Sequence, residues 1–234
     1  MARRVASGAS GRIDFGNLAL FVNTGDLTLT FWLMLGSGTA INQMIADIEG
    51  IGTSELESEN ASCFLWTSSV SDAWDLRYIH EYGAGINEQN IFDTDLNNDV
   101  WYHVAIVRDV SANTVVTYID GVANATFNYT NDHTYTGSTT VYSIFQRSDG
   151  GFQLDDASEA DICYYDAALS ADEVAGLANG VPNFPFRAAN KINYCTLDGN
   201  ESPEPDYTSN RNNGTVTSTT KANHPSIEHL ENFL

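Results

Sequence analysis

Residues 27–35 run Leu27-Thr28-Leu29-Thr30-Phe31-Trp32-Leu33-Met34-Leu35. The odd positions are all large and apolar, and Thr28, Thr30, Trp32 and Met34 alternate with them. Successive side chains of a strand point to opposite faces, so this period of two predicts one wholly apolar face set against a core. The second face is half apolar, which predicts that another part of the chain covers it.

The same alternation recurs along the chain. Residues 101–108 read as a strand, 109–113 as a loop and 114–119 as the return strand, closed by Asp120-Gly121. Gly adopts positive φ freely, and the primed turns it permits match the twist of the flanking strands. Shorter alternations predict strands over 12–21, 43–48, 62–67, 76–80, 140–146 and 159–165. Many short strands with turn signals between them imply an all-β antiparallel sandwich. One helix is expected. Ser170 and Glu173 have capping-box spacing, Val174 and Leu177 share a face, and Gly180 with Pro182 ends the element. Pro182, Pro185, Pro203, Pro205 and Pro225 all follow Gly180. The chain therefore divides into a sandwich over residues 1–180 and an extended, proline-containing C-terminal arm over 181–234. That arm either packs on the sandwich or reaches a neighbour.

Composition narrows the partners. At 234 residues, a chain can bury about 70% of the surface it exposes when unfolded, so its core needs no disulfide. Cys63, Cys163 and Cys195 are odd in number and lack metal-ligand spacing, and they read as free, mostly buried thiols. A formal net charge of −21 repels phosphate backbones, which argues against a nucleic-acid partner. Solubility is the simple explanation of that charge and cation binding the sharper one. No apolar run is long enough to insert in a membrane. The start has arginines but no apolar stretch behind them, so no secretory leader is expected. Sequons at Asn60, Asn124, Asn128, Asn200 and Asn213 then read as coincidences of an Asn- and Thr-rich chain.

Four segments carry a resemblance: 27–33 (LTLTFWL), 99–109 (DVWYHVAIVRD), 116–122 (VTYIDGV) and 160–174 (ADICYYDAALSADEV). In order and spacing they are similar to the strands and final helix of laminin-G-like, concanavalin-A-like domains, over residues 12–180. The resemblance implies a two-sheet jelly-roll sandwich. Residues 194–217 (YCTLDGNESPEPDYTSNRNNGTVT) resemble a segment that follows such domains in many bacteriophage and prophage-like proteins. That implies a virion protein made in the host cytoplasm and placed on the particle surface: a capsid decoration, head-fibre or tail component. Its partners would be other virion proteins and further copies of itself. Arg3, Arg4 and Arg12, ahead of an acidic body, suit docking to an acidic neighbour or symmetry mate.

Glycoside hydrolases with this fold are expected to carry a Glu-x-Asp-x-(x)-Glu run whose alternate side chains face one cleft, with carboxylates about 5–5.5 Å apart for retention. Glu159 and Asp161 copy the first two positions, but Cys163 and Tyr164 hold no carboxylate, so the chain is not expected to be an enzyme. Glu55, Glu57 and Glu59 alternate among Ser and Gly and read as a solvated loop. No Ser-His-Asp set, phosphate loop or zinc spacing can be assembled, and His103, between Trp101 and Ala105 in alternation, reads as a packed histidine. Many laminin-G-like domains hold calcium at the rim. Asp155 and Asp156 are the candidate metal ligands here, with Asp47 or Asp14 as distant partners, and Ca2+ is the cofactor such a site would take. Trp66, Trp74, Tyr78 and Tyr82 lie among Asp, Asn and Ser and are the candidate carbohydrate-binding aromatics of the alternative function, a glycan-binding adhesin.

Overall fold

The computed structural model describes residues 1–17, 25–36, 43–50, 61–67, 74–81, 87–91, 96–130, 140–146, 151, 153–183, 186–198 and 202–223. Within them the strands are β1 (Ala2–Val5), β2 (Arg12–Asn17), β3 (Leu27–Leu35), β4 (Gln43–Gly50), β5 (Ala61–Thr67), β6 (Trp74–Glu81), β7 (Asn87–Ile91), β8 (Trp101–Asp109), β9 (Thr114–Ile119), β10 (Val122–Asn128), β11 (Thr140–Ile144) and β12 (Ala157–Tyr165). Helix α1 (Ala171–Ala178) follows, then β13 (Lys191–Cys195), β14 (Thr215–Thr217) and β15 (Thr220–Ala222). An eight-stranded sheet has the order β10-β9-β8-β3-β12-β1-β15, with β13 also paired to β12; a seven-stranded sheet has the order β14-β2-β11-β4-β5-β6-β7. The pairings between strands are antiparallel.

The apolar face of β3 is buried as predicted: Leu27, Leu29, Phe31, Leu33 and Leu35 enter the core between the sheets. They meet Ile13, Phe15, Ile45, Leu76, Tyr142 and Ile144 of the facing sheet, with Phe15 stacked on Tyr142 at 4.8 Å between centroids. The second face of β3 is covered too. The Thr28 hydroxyl donates to the Ala167 carbonyl at 2.7 Å and accepts from the Leu169 amide at 3.0 Å, which ties the approach to α1 onto the strand. Beneath α1, Val107, Tyr118, Cys163, Tyr165, Leu169, Val174, Leu177 and Tyr194 form a second, outer apolar cluster. The Ser170–Glu173 capping box is formed as read. Gly121 (φ +78°) is needed twice over, because a Cβ there would lie 2.8 Å from Ala175 Cα of the helix.

Among the described residues beyond 180, three strands return to the chain's own sandwich. β13 extends along β12, β14 joins β2, and β15 pairs with β1, so both sheets gain strands from this part of the chain. A buried Asp206 organises its loop: Oδ1 accepts from the Tyr194 and Thr208 amides and Oδ2 from Thr208 Oγ1 and the Asn212 amide, all at 2.9–3.0 Å. The N-terminal arginines are likewise engaged within the chain. Arg3 forms a buried ion pair with Glu204 at 2.8 Å (side chains 4% and 1% exposed), Arg4 meets Asp156 and Arg12 meets Asp14. Burial outweighs the guanidinium at Glu204 and pushes its pKa above the usual carboxylate range.

Candidate functional site

The strand that resembles a hydrolase cleft is β12, and its backbone decides what it can do. Ala160 pairs with Trp32 and Cys163 with Thr30, so three steps on β12 oppose two on β3. The extra residue is a β-bulge, and Asp161 sits in it at φ +52°. A bulge exchanges the faces of the residues beyond it. Glu159, paired with Leu33, enters the core between the sheets and is 0% exposed. Asp161 is turned the other way: Oδ1 accepts from the Tyr194 hydroxyl and Oδ2 from Asn183 Nδ2, both at 2.8 Å. The two carboxyls therefore do not face one cleft, contrary to the simple period of two. Neither oxygen of Glu159 has a hydrogen-bond partner among the described residues, and burial pushes its pKa well up, which favours the protonated form. His103 is packed as read, edge-on to Trp32 at 5.3 Å, and desolvation pulls its pKa down to about 4.

Among the described residues, the sequence-selected positions do not come together. Tyr78 is 3% exposed and belongs to the core, so it cannot stack on a sugar. The register pairs position 66 with Asp75 and position 74 with Thr67, which places positions 66 and 74 on opposite faces of the seven-stranded sheet. The side chains of Trp66 and Trp74, and Tyr82 altogether, lie outside the described residues. Asp155 Oδ1 accepts the Gly8 amide at 2.7 Å, and Asp156 Oδ1 binds Arg4 Nη2 at 2.5 Å. Asp14 accepts the Gly16 amide and pairs with Arg12, while positions 14 and 47 flank Ser143 on a different sheet. A calcium ion wants six to eight oxygens. The carboxyls of Asp14, Asp155 and Asp156 are taken up by amides and guanidinia. Asp155 and Asp156 precede β12 while positions 14 and 47 lie on the seven-stranded sheet, so Asp14, Asp155 and Asp156 do not form such a set. Among the described residues no three His, Cys, Asp or Glu side chains gather to hold a metal.

A concave site does occur, on the outer face of the eight-stranded sheet. An open groove of about 560 Å³ runs between β8–β9 and the start of α1. Its floor is Val107, Val116, Tyr118 and Leu169, and its rim Asp109, Thr114, Ser170, Glu173 and Arg187. Arg187 Nε and Nη2 both reach Glu173 Oε1 at 2.7 Å, which fixes the ion pair at one side. Across from it, Asp109 Oδ1 accepts from Ser111 Oγ and the Ala112 amide, and these bonds hold its carboxyl below the usual range. Tyr118 is 6% exposed, lies in the groove floor, and has its pKa raised by burial. Periodicity placed Thr114, Val116 and Tyr118 on one face of β9; the helix start and Arg187, which make that face concave, carry no local signal.

The family model described as "Concanavalin A-like lectin/glucanases superfamily" matches residues 7–175. The chain belongs to the concanavalin A-like lectin/glucanase superfamily. No curated protein matches it in sequence. Solved structures of this superfamily's fold are similar at low identity. A putative carbohydrate binding protein from Bacteroides ovatus is 15% identical with a TM-score of 0.65, covering 96% of this chain and 61% of that one. Tailspike protein 2 of bacteriophage CBA120 (its enzymatically active domain) is 17% identical with a TM-score of 0.60, covering 83% and 29%. A heptameric SAP-like pentraxin from Limulus polyphemus is 16% identical with a TM-score of 0.57, covering 78% and 83%. These likenesses speak for the sandwich itself, since the fold hosts several functions.

Proposed function

We propose that this chain is a non-enzymatic protein of a bacteriophage particle, carried on the virion surface as a capsid decoration or as a head-fibre or tail-associated component. Its partners are other virion proteins and further copies of itself. The observation that carries the non-enzymatic part is the bulge at Asp161: Glu159, paired with Leu33, points into the core, while Asp161 is turned away and bonded to Tyr194 and Asn183. A retaining pair needs two carboxyls about 5–5.5 Å apart across one sugar bond. The particle itself is supported by the resemblance of residues 194–217 and by the occurrence of the same fold in a bacteriophage tailspike. A reducing-end assay on a panel of bacterial and plant polysaccharides tests the claim. No release above blank is expected; release that disappears in both Glu159→Gln and Asp161→Asn would overturn it.

The open groove between β8–β9 and α1 favours a second reading, carbohydrate binding by an adhesin. Its apolar floor and polar rim have the makeup of small-ligand sites, and a structural neighbour is described as a putative carbohydrate binding protein.

A further inference from the structure

We propose that Lys191 and Asn183 become joined by an isopeptide bond: the Lys191 amine displaces the side-chain nitrogen of Asn183 as ammonia, with Asp161 carrying the proton. This bond is independent of what the protein binds. Its setting is the α1 side of the β12–β13 pair, where three groups of complementary chemistry meet. Asn183 is 3% exposed, and both ends of its side-chain amide are held. Its Oδ1 accepts from the Tyr165 hydroxyl at 2.5 Å, and its Nδ2 donates to Asp161 Oδ2 at 2.8 Å. Lys191 is 9% exposed, and its Nζ donates to the backbone carbonyl of the same Asn183, 4.9 Å from the centre of the Tyr194 ring. The Tyr194 hydroxyl in turn donates to Asp161 Oδ1 at 2.8 Å. The backbone explains the meeting. Tyr165 and Lys191 are register partners on β12 and β13, so their side chains leave the pair on one face. Bulges re-aim side chains, and the one that holds Asp161 at φ +52° turns its carboxyl away from the core and onto the Asn183 amide.

An amide is a poor acyl donor in water. It becomes reactive where the nucleophile is uncharged and held close, the oxygen is stabilised as charge develops on it, and the leaving nitrogen receives a proton. Burial serves the first need, because desolvation lowers the Lys191 pKa and so favours the neutral amine. Tyr165 serves the second with a hydroxyl already on Oδ1. Asp161 serves the third from its contact with Nδ2. The Nζ–Cγ bond forms and one Nζ proton passes to Asp161. Asp161 returns that proton to Nδ2, the Cγ–Nδ2 bond breaks and ammonia leaves. Atoms and charge balance without a co-reactant.

The test is intact-mass spectrometry of the purified full chain, followed by tandem sequencing of its tryptic peptides. The chain, with or without Met1, should be lighter than its sequence by the mass of one ammonia, and Lys191 should resist trypsin. Arg187 lies between the two residues in sequence, so cleavage there should leave their peptides joined as a branched pair. Lys191→Arg, Asn183→Ala and Asp161→Asn should each show the full mass and linear peptides. Full mass and linear peptides in the wild-type chain, after purification and again after prolonged incubation, would overturn the proposal. Loss of ammonia with a linear Asn183 peptide, which marks a succinimide instead, would overturn it equally. A branched pair in Asp161→Asn would overturn the role given to that carboxyl. The wild-type chain alone decides whether the bond exists, so a variant that fails to fold does not spoil the test.

Discussion

Replacing Glu159 with Gln is expected to stabilise the protein, by an amount that grows with pH. The carboxyl lies wholly buried between the sheets beside Leu33, and burial holds its pKa well above the ordinary 4.5. The unfolded chain ionises near 4.5 while the folded one keeps its proton. The contribution of Glu159 is therefore full below that pH and falls by about 1.4 kcal/mol per unit above it, until the folded pKa is passed. Gln keeps the shape and has no proton to lose, so that slope vanishes. His103 acts with the opposite sign, because its pKa is lowered from 6.5 to about 4 by desolvation. The unfolded chain takes up a proton first, and stability is lost as pH falls from 6.5 towards 4, by about 3 kcal/mol in all. Above 4.5 the slope of Glu159 opposes that of His103 while both groups titrate. Urea unfolding of wild type and Glu159→Gln, from about pH 4 to about pH 8, reads the difference directly. A variant less stable than wild type at neutral pH, or a gap that does not widen with pH, would refute the reasoning and mean that Glu159 is ionised and paired in the fold.

Other substitutions test other joints of the sandwich. Arg3→Met should cost about 3–5 kcal/mol in chemical denaturation because it strands a buried carboxylate, whereas Arg3→Met with Glu204→Leu should lie close to wild type. Gly214→Ala should cost about 1–3 kcal/mol, since its Cβ would meet Ile13 Cγ2 at 2.4 Å and Phe15 Cε1 at 2.8 Å; an unchanged melting temperature would deny the close fit of the arm. Ser170→Ala should cost about 1 kcal/mol through loss of the cap, measurable in a thermal melt.

Much of the sandwich was legible because its strands alternate so regularly. Residues 27–35, the hairpin over 101–119 and the capping box at Ser170 needed only local rules, and each is formed where it was read. Two kinds of feature were not legible. Strands β1 and β15 are short and polar, and they are strands because they pair with each other across almost the whole chain length, a contact that no window of sequence contains. The bulge at Asp161 is a register decision made between β12 and β3, yet it determines whether Glu159 and Asp161 face together. The groove is hidden for the same reason. Its floor is a strand face that reads as ordinary packing, and its rim is supplied from Asp109 to Arg187, 78 positions apart in the sequence. Conversely, Tyr78 stands among Asp, Asn and Ser as a candidate sugar-binding aromatic, but its strand turns it inward with Leu76.

The most direct test of the particle assignment is the copy number of this chain in purified phage particles, by quantitative mass spectrometry against the major shell protein. A ratio near one per shell subunit, or a fixed simple fraction of it, is expected for a decoration, and a handful of copies per particle for a fibre or tail position. Particles that contain none of the chain would contradict it.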